Sequence, residues 1–326
     1  MPERDAERLL AFAAMRDEGP FVVEWVAWQR MLGFEVLVAI NDCTDRSPAL
    51  LAALAAAGWC EVVEHRPPPG MHPKASAHRA AKRHPAALRA DWMLVCDVDE
   101  FPVFHRGGTA RGFLDAMGRD ALGYALHWQC FGNGGHRTWS DGLVHERTRC
   151  GAARRGANTF FKTLFRAPRL WRRLSDHAPV GWTGPEVPRG LVDGEGRAIP
   201  SLLSRPEPHR FTAVDEITHA NAQVNHYVIR ADEAFDLKRG TPSASAGKDR
   251  YTQAFYERHN RDTHRDASAL AYAATFAPLH AEAMALPGVR RLHHLCCADY
   301  VERLCAKGGR DPRADPRWRR HRAEAG

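Results

Sequence analysis

Within its first hundred residues this chain alternates four short apolar runs with stretches of helical periodicity, and no other feature limits its fold as strongly. The apolar runs cover residues 9–14, 35–40, 61–64 and 93–96. Between the first two, Phe21, Val22, Trp25, Val26, Trp28, Met31 and Leu32 recur near helical spacing until Gly33 stops them. Residues 49–57 make a second helix, closed by Gly58, and residues 74–90 a third, with a basic face. Strand and helix in regular turn predict an α/β fold of Rossmann-like type, its sheet mainly parallel and flanked by helices. Right-handed crossovers bring the turns after such strands to one edge. Residues 16–18, 41–45 and 97–100 are therefore expected to converge.

The fourth run ends in three carboxylates, Asp97-Val98-Asp99-Glu100, followed by Phe101. Uninterrupted apolar residues suit a strand covered on both faces. Its carboxyl end is where open α/β sheets bind ligands. In extended chain, residues two apart project to the same side, so Asp97 and Asp99 can share one hard cation. Such a cation keeps positions open for phosphate oxygens, and the stretch reads as a metal–diphosphate site. A solvated loop accounts for an isolated Asp-x-Asp; the apolar run, the third acid and Phe101 favour the site.

At 326 residues, 44% hydrophobic and 26% charged, the chain suits one large or two modest globular domains. No apolar run approaches the roughly 20 residues that cross a bilayer. Residues 1–5 lack the apolar core of a signal peptide, which predicts a cytoplasmic protein. Eight cysteines without a Cys-x-x-Cys pair are expected as reduced, mostly buried thiols. The net charge of +7 gathers in residues 147–173 and in the tail at 310–322. Basic surfaces suit nucleotide phosphates, acidic glycans, anionic lipid headgroups or nucleic acid, and charge alone does not choose among them.

Past Phe101 the pattern changes. A helix is expected over 113–117, a strand over 124–130, a glycine turn over 131–136, and strands over 158–166 and 224–229. Residues 179–208 are rich in Gly and Pro, with an exposed loop near 193–196. From Asp232 onward helices are expected, with a frayed basic tail after Lys307. The implied organisation is a catalytic domain over 9–235 and a helical extension over 236–326, without internal repeats.

Taken in order, Arg16-Asp17-Glu18, Glu24-Trp25, Gly33-Phe34, Asn41-Asp42-Cys43-Thr44-Asp45, Asp97-Val98-Asp99-Glu100-Phe101, Phe131-Gly132-Asn133-Gly134-Gly135-His136, Glu146-Arg147, Lys162-Thr163 and Asn225-His226-Tyr227 resemble a known set. They are similar to the nucleotide-sugar glycosyltransferases of family 2, GT-A fold, in the bacterial branch related to the family 92 enzymes. The likeness spans roughly residues 9–240 and opens on Arg16-Asp17-Glu18 where the family has Lys-x-Glu. It implies a mixed, mainly parallel sheet and transfer of a sugar from a UDP- or GDP-sugar to a glycan or lipid-linked hydroxyl. It further implies Mn²⁺ or Mg²⁺ on Asp97 and Asp99, the first acid also near the ribose. Asn41, Asp42 and Asp45 would meet the nucleoside, Arg16 and Glu18 the base or phosphate, and Lys162, with Arg166 behind it, the diphosphate. His226 would complete the metal shell. An inverting reaction needs a carboxylate on the acceptor side. Glu146 ranks first for it, Asp141 second, with Glu100 and Asp176 the other candidates.

Most of the 18 histidines must be bystanders. His136 and His177 are candidates for sugar contacts, and Trp128, Trp139 and Trp182 for stacking on a pyranose. His293-His294-Leu295-Cys296-Cys297 lacks a second pair at zinc spacing. A sugar nucleotidyltransferase would open on a glycine-rich loop, and residues 15–20 contain one glycine. A binding protein using the basic stretches is the other alternative, but no nucleic-acid module is present. The basic tail would at most add a peripheral membrane contact at the inner face.

Overall fold

Strands that are apolar on both faces must be covered by neighbours and helices, and the first three runs of the parallel half do this together. The computed structural model describes residues 7–152, 156–242 and 247–326. Residues 1–5, read above for a signal peptide, and part of the 147–173 basic stretch lie outside the described residues. Strand β1 (Leu9–Met15) runs parallel between β2 (Glu35–Ile40) and β4 (Trp92–Val95), with β3 (Glu61–Glu64) beyond β2. Met15 stands opposite Ile40 and Phe12 opposite Val95, so the turns after all three strands open on one edge. The crossovers are α1 (Gly19–Met31), α2 (Ser47–Ala56), and the pair α3 (Pro73–Arg83) and α4 (Pro85–Arg89). One helix was expected over 74–90. Pro85 divides it, because the residue before a proline is driven out of helical geometry and His84 is extended at ψ 138°.

After β4 come β5 (Glu100–Phe104), α5 (Ala110–Met117), β6 (Ala121–Cys130), α6 (Val144–Arg147), β7 (Cys150–Gly151) and β8 (Phe161–Arg166). The hairpin β9 (Trp171–Arg173) and β10 (Val180–Trp182), β11 (Arg189–Asp193), α7 (Pro200–Leu203) and β12 (Ala222–His226) follow. The nine-stranded sheet runs β3-β2-β1-β4-β8-β6-β12-β5, with β11 also on β6. β8 is antiparallel to both β4 and β6, whereas β11 and β12 lie parallel to β6. The α/β fold is thus mixed and mainly parallel, as expected. β5 and β11 were not foreseen. Pro102 interrupts the first, and a proline is tolerated there because β5 is an edge strand, antiparallel to β12 only.

The remaining elements are α8 (Asp232–Lys238), α9 (Gln253–His259), β13 (His264–Arg265), α10 (Ala273–Ala285), α11 (Val289–Lys307) and α12 (Pro316–Glu324). Helices α10 and α11 pack on α1, and α11 also on α2. From Gly19 to Gln29 every residue of α1 is buried. Its tryptophans fix the edge strand by donating to backbone carbonyls, Trp25 Nε1 to Glu100 O at 3.2 Å and Trp28 Nε1 to Pro102 O at 2.9 Å. At Gly19 a Cβ would fall 2.5 Å from Cys296 Cβ and Sγ, so only glycine lets α11 approach so closely. The tail is not frayed. Asp315 caps α12 by accepting from Arg317 N at 2.9 Å, Arg317 pairs with Glu233 at 2.7 Å, and Arg320 with Asp141 at 2.6 Å. Those pairs engage Arg317 and Arg320 of the tail within the fold. No helix among the described residues is long and apolar enough to cross a membrane. All eight cysteines are free, six of them buried.

Candidate functional site

The three turns meet. Arg16, Asp17 and Glu18 after β1, Asp42 and Thr44 after β2, and Asp97, Val98 and Asp99 after β4 line one open cavity of about 360 Å³. Its far wall comes from beyond residue 235: Leu237 and Lys238 of α8, then Arg250 and Tyr251, and Tyr300 and Arg303 of α11. The helical extension therefore completes this cavity. A second hollow of about 470 Å³ adjoins it, sharing Asp42 and lined also by Asn41, Cys43, Glu64, His65 and Arg66.

The acidic stretch does not stay extended. Glu100 N donates to Asp97 O at 2.9 Å, closing a tight turn directly after β4. The strand-like alignment expected of Asp97 and Asp99 gives way to a turn, though both still line the cavity. Asp97 faces lysines: Lys74 Nζ is 2.7 Å from Oδ1 and 2.8 Å from Oδ2, and Lys162 Nζ is 3.4 Å from Oδ2. Asp99 faces the other way, with Oδ2 3.3 Å from Lys238 Nζ and Oδ1 3.7 Å from His226 Nε2. Glu100 turns into the core, 0% exposed, where Oε2 accepts from Asp97 N at 2.7 Å and sits 2.9 Å from Lys162 Nζ.

These environments set the charges. Burial alone would raise both aspartates, but Lys162 and Lys74 hold Asp97, and Lys238 with Arg230 holds Asp99, well below the usual carboxylate range. Burial pushes His226 down to about 3, so its imidazole is neutral. An ionised carboxylate and a neutral imidazole are the forms that bind a divalent metal, and two ligands of one cation lie about 3–4 Å apart. Asp99 Oδ1 and His226 Nε2 fit that test, with Oδ2 left to Lys238. Asp97 does not, because both its oxygens already face Lys74. Arg16, Lys74, Lys238, Arg250 and Arg303 are balanced on the cavity wall by Asp17, Glu18, Asp42, Asp97 and Asp99. With formal charges cancelling, an anionic ligand gains from a further cation.

Three of the four non-glycine residues with positive φ among those described belong to this edge: Asp17 (58°), Asp42 (46°) and Arg230 (61°). Asp17 Oδ1 accepts from Thr44 N at 2.6 Å and Asp45 N at 3.1 Å. Asp45 accepts from Gly19 N at 3.2 Å through Oδ2 and from Ser47 N at 2.9 Å through Oδ1, so it ties the starts of α1 and α2 together. Asp17, Cys43 and Asp45 are the one group of three among the described residues with mutual spacing for an ion. Their oxygens already accept backbone amides, and burial raises the Cys43 thiol so that it keeps its proton. Asp45, expected at the nucleoside, is a clamp between helices. Asp45→Ala should lower stability by about 1–2 kcal/mol in urea unfolding while changing nucleotide affinity less than about threefold. A larger affinity loss at unchanged stability would return Asp45 to the binding residues.

The other expected residues divide. Arg16, Glu18, Asp42 and Asp97 line the cavity and Asn41 the adjoining hollow. Lys162 does not face an incoming diphosphate: it is 1% exposed and held between Glu100 and Asp97. Arg166 lies at the opposite end of the sheet, in register with Trp92 at the start of β4. Neither Glu146 nor Asp141 lines the cavity. Asp141 pairs with Arg320 and borders a separate small hollow with Glu24, Trp139, His280 and His293. Asp176 is nearer, 3.2 Å from the same Lys74 that holds Asp97, and 3.3 Å from His78 Nε2. His136 belongs to the glycine turn, its amide donating to Asn133 O at 3.0 Å. His177 is packed, with Nδ1 2.9 Å from Phe161 O and its ring 5.5 Å from Trp128. Trp139 lies in the core against Tyr300, and Trp182 against Trp171. Trp128 stands beside His226, ring centroids 4.1 Å apart. Lys74, Lys238, Arg230, Arg250, Tyr300 and Arg303 were not singled out in the sequence. The basic face of residues 74–90 held the one visible signal, for Lys74.

No protein-family model and no curated protein matches the chain. Among solved structures, S. aureus TarS 1–349 is similar at a TM-score of 0.34 and 13% identity, covering 98% of this chain and 88% of that one. The same protein in complex with UDP-GlcNAc gives 0.33 and 11%, with the same coverage. An active-site mutant of LgtC gives 0.31 and 13%, over 67% of this chain and 86% of that one. Likenesses this remote assign no activity.

Proposed function

We propose that this chain transfers a sugar from a nucleoside diphosphate donor to a hydroxyl acceptor, aided by Mn²⁺ or Mg²⁺ on Asp99 and His226. The reading is supported most by Asp99, on the wall of the cavity that gathers the carboxyl ends of β1, β2 and β4, with buried His226 Nε2 3.7 Å from its Oδ1. The adjoining hollow of Asn41, Asp42, His65 and Arg66 suits base and ribose, and since Asp42 lines both hollows the diphosphate would reach toward Asp97 and Asp99. The cation, when bound, supplies Lewis acidity toward the leaving diphosphate. Lys74 fixes the Asp97 carboxylate, Lys238 holds the second oxygen of Asp99, and Arg250 adds positive charge on the same wall. Tyr300 and Leu237 narrow the cavity against water. None of Glu100, Glu146, Asp141 and Asp176 lines the cavity; Asp176, 3.2 Å from the Lys74 that does, is the one we rank first to take the acceptor's proton. The acceptor is expected to be a glycan or a lipid-linked hydroxyl, as the sequence resemblance implies.

A thermal-shift panel of UDP, GDP, UMP and GMP, with and without Mn²⁺, tests this directly. At a hundredfold excess over its dissociation constant a ligand stabilises by about 2.7 kcal/mol, a rise of roughly 5 °C. One diphosphate should do so, and more strongly with Mn²⁺. A flat response to all four at millimolar concentration would sink the reading.

A further inference from the structure

We propose that Arg230 positions the second phosphate of the donor, and so makes the cavity choose nucleoside diphosphates over monophosphates. The inference rests on the nucleotide reading above. Arg230 follows β12 and is 2% exposed, behind the cavity wall. Its left-handed backbone, at φ 61°, is a strained conformation for a side chain this size, and such strain gathers at functional sites. The guanidinium lies flat over Phe21, Cζ 3.5 Å from the ring centroid, which fixes the plane of its fork.

One donor of that fork is used: Nη1 lies 3.2 Å from Glu18 Oε2, and Glu18 lines the cavity. Nε and Nη2 are buried without a hydrogen-bond partner. A guanidinium has five N–H donors and cannot shed its charge, so orphaned donors away from water are unfavourable until an oxyanion arrives. Its partner Glu18 lines the cavity, as do Asp99 and Tyr300. The neighbouring cations are otherwise engaged. Lys74 holds Asp97 and Asp176, Lys238 holds Asp99 and Val228 O, Arg303 donates to Asp17 O, and Lys162 is sealed beneath. Arg16, Arg250 and Arg303 stand on the open wall, and of the cations named Arg230 is the one whose unpartnered donors are buried. On this inference the second phosphate would lie beside Glu18 and Asp99, which line the cavity in front of Arg230, and would take up the orphaned donors once Glu18 gave way.

Calorimetric titration of the full chain with UDP, UMP, GDP and GMP in Mn²⁺ tests the inference. Wild type should favour the diphosphate of its preferred base over the monophosphate by at least about tenfold, the scale of one charge-assisted fork. Arg230→Gln should reduce that ratio to about two or three, with monophosphate affinity unchanged. Arg230→Lys keeps the charge but loses the fork and the stacking, and should keep about a third of the ratio. Should the Gln variant not fold, Lys decides alone. A wild-type ratio in either folded variant overturns the role of Arg230 and leaves the nucleotide reading standing. If wild type binds none of the four nucleotides, both readings fall.

Discussion

Asp99→Asn should lower sugar transfer about 10³-fold in saturating Mn²⁺ while leaving the fold intact. The substitution keeps the shape of the side chain and removes the negative charge 3.7 Å from His226 Nε2. A metal acting as Lewis acid on a leaving diphosphate contributes several kcal/mol, and each 1.36 kcal/mol is about a factor of ten in rate. The Lys238 ammonium is not stranded by the change, because it also donates to Val228 O at 3.1 Å. The melting temperature should therefore stay within about 5 °C of wild type, since the asparagine carbonyl can still accept from the Lys238 ammonium. Mn²⁺ should also cease to enhance UDP or GDP binding. Asp97→Asn is the contrast: Lys74 keeps Asp176 at 3.2 Å, and Mn²⁺ should still enhance UDP or GDP binding. An Asp99→Asn enzyme within about threefold of wild type, still stimulated by Mn²⁺, would remove Asp99 from the metal site and the metal from the proposed function.

The parallel half of the sheet was legible because burial on both faces leaves a signature in composition: runs such as Met93-Leu94-Val95-Cys96 tolerate nothing polar. The convergence of the 16–18, 41–45 and 97–99 turns followed from handedness alone. What could not be read was how side chains share charge across the edge. Asp97 and Asp99 are two residues apart, yet their partners come from Lys74, Lys162, His226 and Lys238, brought together only by the fold. A hydrogen bond from Glu100 N to Asp97 O decides that the two acids diverge, and a turn of four residues leaves no periodicity to detect. Lys162 was misread for a related reason. A cation beside a hydrophobic run looks the same in sequence whether it reaches solvent or neutralises a buried acid, and only the Glu100 carboxylate beneath it settles the matter. Tyr300 and Arg303 lie on a helix with no motif, so nothing in the chain announced that residues beyond 240 would wall the cavity.

That buried cation sets the largest stability effect expected in the molecule. Lys162→Met removes the ammonium that faces Glu100 Oε2 at 2.9 Å and Asp97 Oδ2 at 3.4 Å, in a place where neither Lys162 nor Glu100 meets water. Glu100 would keep one hydrogen bond, from Asp97 N, and its Oε1 has no partner even in the wild type. Breaking a buried pair by deleting one partner costs about 3–5 kcal/mol, or roughly 5–8 °C in melting temperature for a chain of this size. The deficit should depend on pH. Burial pushes the Glu100 carboxyl up even beside Lys162, and without the lysine the folded state favours its protonated form still more. A raised acid contributes most below its unfolded value and loses that contribution as pH rises through the folded value. The variant should therefore fall further behind wild type at pH 8 than at pH 5. Adding Glu100→Gln to Lys162→Met removes the stranded charge and should restore more than half of the loss, a coupling that a double-mutant cycle reads directly. A Lys162→Met chain that melts within about 2 °C of wild type, or a double variant no better than the single one, would mean that Asp97 and Glu100 are held by something other than this lysine.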